Sequence, residues 1–304
     1  MTPVVVGIGP VAFDEVLSVA RQNAPVVIAD DALAAITTSR AHIEALASIP
    51  TPVYGVSTGF GALATRHIPP ERRTHLQRSL IRSHAAGSGP EVEREVIRAM
   101  MLLRLSTLAT GRTGVRPEVA GAYAQLLSAG LTPVVYEYGS LGCSGDLAPL
   151  AHVALAIMGE GHVRAAGGEL VPTAQALSAH GIQPIVLAEK EGLALINGTD
   201  GMLAQLVLAL NDLDRLLVLA DISAAMIIAM AATLAACCSS KTTVSGSVMG
   251  SRLLLRSGSW LRAPGPGDGS RCLGSSLHSA MCPLNEVRAT WRAGLHPRTH
   301  PSSC

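Results

Sequence analysis

Three glycines, at 139, 142 and 145, surround a single reactive-type triplet, Cys143-Ser144-Gly145, and Asp146-Leu147-Ala148-Pro149-Leu150-Ala151-His152 follows at once. The glycines leave the backbone free to bend. Asp146 is a residue type that caps helix N-termini, and Pro149 is tolerated in a first turn. The spacing therefore sets Cys143, Ser144 and Gly145 at the positive end of a helix dipole, where developing negative charge is stabilised. The plainer reading of such a run is a glycine-rich loop before a capped helix.

Three other strings hold residues of chemical interest. Tyr54 lies in Val53-Tyr54-Gly55-Val56-Ser57-Thr58-Gly59-Phe60-Gly61, a mobile-looking loop of glycines and hydroxyls. A free phenol titrates at about pH 10, so a basic role for Tyr54 would need nearby positive potential, part of which the helix after Gly145 could supply. Ser83-His84 closes a basic helix, Glu71 to Ala86, before Gly87-Ser88-Gly89; a histidine there often serves only as a cap. Asn197-Gly198 follows Glu191-Gly192-Leu193-Ala194-Leu195-Ile196 and by itself signals a turn.

Together, in this order, the four strings resemble those of the histidine and aromatic amino-acid ammonia-lyases. Ser57 stands where that family has Asn. The resemblance implies that Cys143-Ser144-Gly145 cyclises to a 4-methylidene-imidazol-5-one: the Gly145 nitrogen attacks the Cys143 carbonyl carbon and two waters leave, one carrying the Ser144 hydroxyl. It implies Tyr54 as catalytic base, Asp146 as support for cyclisation, and Asn197 as a hydrogen-bonding partner of the prosthetic group or substrate. Ser83 and His84 occupy the family's substrate-selecting positions. A polar pair there can hydrogen-bond an imidazole, whereas an apolar pair would leave its nitrogens unpaired. The implied reaction is deamination of L-histidine to urocanate and ammonia, in a cytoplasmic homotetramer needing no metal or nucleotide. A tyrosine or phenylalanine lyase or an aminomutase is the alternative within that chemistry; a catalytically inert relative is the alternative outside it.

The elements that must position these groups read as all-α: a helical bundle around a long central helix, with a small mixed N-terminal region carrying the site loops. Ala, Leu and Val dominate and aromatics make up only 3% of 304 residues, which favours helices over a β-sandwich. A net charge of +1 gives no electrostatic footprint for nucleic acid. Met1-Thr2-Pro3-Val4 lacks the basic start of a signal peptide, and the six cysteines lack metal-ligand spacing. Asp30 opens a helix that Pro50 stops. A long helix over 91–111 has acids early and Arg104 late, which suits its dipole. Helices are also expected from Pro117 to Ala129 and over 147–159, with loops and short strands over 160–188. Residues 200–236 read as one very long apolar helix. Its uncharged stretch, Ile222 to Cys238, is short for a membrane span and is expected to be buried in the bundle.

Family character covers residues 1–225. Residues 226–304 read as a non-family tail, rich in Ser, Arg, Gly, Pro and Cys, of the kind a shifted reading frame or a disordered segment produces. The family's second half would contribute a further Tyr, an Arg for the substrate carboxylate and a Glu.

Overall fold

The computed structural model describes residues 1–140 and 145–241. Cys143, Ser144 and the tail beyond 241 lie outside the described residues. The helices are α1 (Phe13–Gln22), α2 (Asp30–Ser48), α3 (Pro70–His84), α4 (Arg94–Ala109), α5 (Pro117–Ser128), α6 (Leu147–Ile157), α7 (Thr173–Ala179), α8 (Glu191–Ile196) and α9 (Asp200–Lys241). The strands are short: β1 (Val4–Val6), β2 (Val26–Ile28), β3 (Ser88–Glu91), β4 (Thr132–Pro133), β5 (Tyr136–Tyr138), β6 (His162–Arg164) and β7 (Leu170–Pro172). They pair as parallel β1–β2, antiparallel β3–β5 and antiparallel β4–β6–β7. Helices thus dominate, as the composition implied. Helix α7 is an addition to the loops and strands expected over 160–188.

Helix α4 is the centre of the body. From Val96 to Leu105 every residue is buried, and α1, α2 and α5 pack around it. A helix enclosed on all sides is normally apolar all round, yet α4 carries Arg98 and Arg104 inside. Among the described residues Arg98 has no carboxylate partner. It donates from Nε to the Val19 carbonyl (2.9 Å) and from Nη1 and Nη2 to the Leu127 carbonyl (both 3.2 Å). Both carbonyls lie in the last turns of helices, α1 and α5, where intrahelical donors run out. One guanidinium therefore closes two helix C-termini at their negative ends. Burial, with a smaller contribution from Arg94, pulls its pKa down to about 10, so it stays charged at neutral pH.

The first turns of α9 join the core through Gly201, Ala204 and Leu208, spaced as one helical face. Beyond Asn211 every residue through 236 is exposed, including Leu216, Ile222, Ile227 and Leu234. This corrects the expectation that 222–238 is buried, as far as 236: the helix forms, but no described element covers it. In that stretch Asp212 ties it to the body, accepting from Arg21 while Arg21 also holds Glu95. The helix runs without interruption through 226–241, the first part of the segment read as tail.

Candidate active site

Ser83 and His84, at the end of α3, face the segment that precedes α6. With Ala86, Gly139, Gly145, Leu147 and Ala148 they line a cleft of about 400 Å³. Two of the four sequence strings thus meet at one place, at the N-terminus of α6. His84 is half-buried, and its Nδ1 lies 2.9 Å from the Leu80 carbonyl and 3.0 Å from the Ser83 hydroxyl. The Ser83 hydroxyl itself donates to the Leu80 carbonyl (2.8 Å). The pair is held by the last turn of its own helix. A larger cleft of about 590 Å³, between the end of α2 and the start of α3, holds none of the predicted site residues.

Asp146 sits at the N-cap position of α6, as its type suggested, but its side chain makes no capping bond there. Its Oδ2 accepts from the Met202 amide (3.0 Å), in the first turn of α9, and its Oδ1 accepts from the Ser140 hydroxyl (2.6 Å). The expectation that it caps its own helix is corrected: the carboxylate supplies an acceptor to a different helix, whose first-turn amides also lack partners. Through Ser140 it also pins one flank of 141–144 to the other.

The Asn197 turn reaches the same point through backbone. The Asp146 amide donates to the Gly198 carbonyl (2.7 Å). Gly145 has φ +131, and a Cβ there would be driven into that carbonyl oxygen. Glycine is thus required at 145 twice, by conformation and by close approach. The Asn197 side chain is exposed and does not line the cleft.

Behind the turn stands Arg104. Its Nη1 donates to the carbonyls of Ala194 (3.2 Å) and Asn197 (3.4 Å), and its Nη2 pairs with the Asp200 carboxylate. Any side chain at Gly198 would collide with this guanidinium. Arg104 is therefore a buried post around which the 194–200 segment wraps, and not a surface charge balancing the α4 dipole. The Tyr123 hydroxyl is buried nearby without a partner among the described residues, and burial pushes its pKa up. The start of α8 is fixed in parallel. Buried Glu191 accepts from the Arg116 backbone amide, Nε and Nη2 and from the Ala188 amide (2.7–2.9 Å). Gln77 of α3 accepts from the Gly192 amide (2.9 Å), joining the helix of Ser83 and His84 to that of Asn197. Sequence reading missed Arg104, Glu191, Arg116 and Gln77. Arg104 alone carried a signal, a charge inside an apolar run; Arg116 and Glu191 lie at helix starts and Gln77 in a polar helix.

Tyr54 is placed apart from this cluster. Its ring is 52% exposed and stands edge-on to Phe60, centroids 6.1 Å apart. The loop around it is fastened rather than loose. The Val53 carbonyl accepts the amides of Val56, Ser57 and Thr58, and the Ser57 hydroxyl accepts from the Val53 amide. Gly55 packs on Leu193 of α8, one turn before Asn197. Among the described residues Tyr54 does not line the cleft.

The sequence pattern of one family, described as aromatic amino acid lyase, matches residues 11–243. The chain belongs to that family. A histidine ammonia-lyase from Streptomyces coelicolor is 61% identical over 226 residues, which cover 74% of this chain and 44% of that relative. Among solved structures, a tyrosine aminomutase from Streptomyces globisporus superposes with a TM-score of 0.63 at 42% identity, over 67% of this chain and 38% of its own. An ergothionase from Treponema denticola superposes with a TM-score of 0.68 at 30% identity, over 70% and 43% respectively. The chain thus spans less than half the length of the curated relatives it matches. The match brackets every predicted site residue, from Tyr54 to Asn197.

Proposed function

We propose that this lyase acts on L-histidine, releasing ammonia and leaving urocanate. The observation that carries the reading is the polar Ser83–His84 pair in one cleft with Gly145. Its support is the 61% identity to a histidine ammonia-lyase. An imidazole entering that cleft meets hydrogen-bonding groups that an apolar pair would deny it. The tyrosine and phenylalanine alternatives would put an apolar or mixed pair at these positions.

The residues present fit a methylidene-imidazolone formed from Cys143-Ser144-Gly145. Gly145 already has the conformation and the crowding that only glycine accepts, and it lies beside α6's N-terminal amides. When formed, the group supplies an electrophile that no ordinary side chain offers. The chain's own residues do the rest. Ser83 and His84 orient the imidazole. Asp146 holds Ser140, Met202 and Gly198 in one arrangement and so fixes the loop's two flanks. Asn197 hydrogen-bonds the prosthetic group or substrate and Tyr54 takes the β-proton, for which both side chains must be brought to the cleft. We place the working enzyme in the cytoplasm as a homotetramer, with exposed α9 as an assembly surface. The stretch 191–236 has the length and apolarity of a membrane span, but its first turns are keyed to Asp146 and Arg104. The family match runs to residue 243, so in this reading the segment outside the family's helical half begins there and not at 226.

The test is urocanate formation from L-histidine by the purified full chain, followed by ultraviolet absorbance. Turnover of L-histidine, abolished by Ser144→Ala, is the expected result. Turnover of L-tyrosine or L-phenylalanine instead would overturn the substrate assignment. Soluble protein inert toward all three would identify an inactive relative.

A further inference from the structure

His152 is the one polar side chain on α6, in the run Leu147-Ala148-Pro149-Leu150-Ala151-His152-Val153-Ala154-Leu155-Ala156-Ile157. It lies four residues after Ala148, which lines the cleft, and so on the same helical face one turn deeper. Its Nε2 accepts a hydrogen bond from the Gly87 amide at 3.1 Å. The Tyr136 ring of β5 stands edge-on to the imidazole, with centroids 5.4 Å apart at 75°.

Gly87 follows directly on Ser83-His84-Ala85-Ala86. A Cβ at Gly87 would press on His152 Nε2 (3.0 Å) and on the Tyr136 Cβ (3.4 Å). A Cβ at Gly139 would meet Ala148 Cβ (3.0 Å) and Gly87 Cα (3.1 Å). Gly139 and Ala148 of the cleft wall are therefore stacked closely, with Gly87 and its bond to His152 immediately behind. An amide N–H can bond to Nε2 only while that nitrogen carries no proton, so the geometry fixes the neutral, Nδ1-protonated form.

We propose that His152 is a positioning residue for the cleft. Unprotonated at Nε2, it latches Gly87 and so holds the segment bearing Ser83 and His84 against α6. As a statement about substrate, this rests on the function proposed above; as a statement about the latch, it does not. Protonation of His152 replaces the acceptor with a second donor and opens the latch. The groups facing the ring are the Gly87 amide and Tyr136. The charged neighbours on packed elements are already engaged: Arg78 and Arg82 of α3 with Glu160, and Glu191 of α8 with Arg116. Burial holds the imidazole's pKa below its ordinary value, in keeping with a neutral ring.

The experiment uses the full chain and reads amide hydrogen exchange in peptides spanning 85–91, corrected for intrinsic pH dependence. Losing this one bond should lower protection at Gly87 about tenfold. That loss is expected in the wild type as pH falls through the His152 titration. It is expected at every pH in His152→Phe, and His152→Gln, which restores an acceptor, should recover protection without the pH dependence. Unchanged protection at Gly87 in a folded His152→Phe chain would overturn the latch. If that variant also loses protection across α4, nitrogen-15 NMR of the wild-type imidazole decides: Nε2 unprotonated at pH 8 supports the latch, and Nε2 protonated overturns it. Steady-state kinetics with L-histidine then tests the consequence. His152→Phe should raise KM several-fold more than it lowers kcat. Lost protection at Gly87 with unchanged KM would overturn the positioning role. A wild type that turns over no L-histidine would sink the function proposal and leave the exchange result to judge the latch alone.

Discussion

Helices α4 and α9 invert what their compositions suggest. Helix α4 carries Arg94, Arg98 and Arg104, yet from Val96 to Leu105 it is buried throughout. Helix α9 has no charged residue from Ile222 to Ala236, yet that stretch is exposed on every side. Burial in α4 is made tolerable by acceptors. Arg98 meets two helix-end carbonyls, and Arg104 meets the Ala194 and Asn197 carbonyls at the end of α8 and Asp200. Exposure in α9 follows from the lack of any described element beyond its third turn. A side chain's surroundings, and not its type, decide whether burying it costs or stabilises.

The contrast breaks most visibly at Arg104. Arg104→Ala leaves Asp200 charged and buried, and removes two carbonyl partners from the 194–200 segment. A destabilisation of about 3–5 kcal/mol is expected, read as a lowered urea midpoint. Arg104→Met with Asp200→Leu removes both charges and should recover much of that loss. If the double variant is as unstable as the single, the two carbonyl bonds and not the ion pair hold the turn. In either case the Asp146–Gly198 bond should loosen, since Gly198 rests directly on the guanidinium.

A smaller effect is expected from pH, at a site between these extremes. His152 is partly enclosed, and burial lowers its pKa below 6.5. Well above pH 6.5 both the folded and unfolded chains hold it neutral, and its contribution is complete. As the pH falls below that value the unfolded chain takes up the proton first, so stability declines. The decline levels off once the pH passes the lowered folded value. Urea midpoints measured from pH 7.5 downward should show this component, and His152→Gln should lack it. A wild-type profile identical to that of the variant would show that the ring is not buried enough to resist protonation.

Much of this was legible in the sequence, and the remainder was not for a consistent reason. Periodicity and punctuation located α2, α3, α5, α6 and α9 within a few residues, because caps, prolines and glycines act locally. Ser83, His84 and Gly145, grouped through the order of the four strings, line one cleft. Asp146 shows where local reasoning ends. Its N-cap position was readable, but its carboxylate goes to Met202, fifty-six residues away. Arg104 was read as complementing its own helix dipole, whereas its partner Asp200 is ninety-six residues distant. The roles of Glu191 and Gln77 are likewise long-range. A buried polar residue must find a partner, but the sequence does not say which. Tyr54 is the opposite case: its loop could be recognised, yet the described residues do not bring it to the cleft.

The smallest expected effect lies in α9, and it sharpens the comparison most. Leu216 and Ile227 are 61% and 67% exposed, and no described element covers them. Replacing both with Lys should change the urea midpoint of the body by no more than about 0.5 kcal/mol. The same two changes put charge on an apolar surface long enough to seat another helix. Sedimentation velocity should then show less self-association than in the wild type. Reduced association with unchanged stability would mean that α9's apolar face serves partners and not the body that α4 organises. A large loss of stability would mean that the face is packed within the folded unit, and α4 and α9 would then obey the same rule of burial.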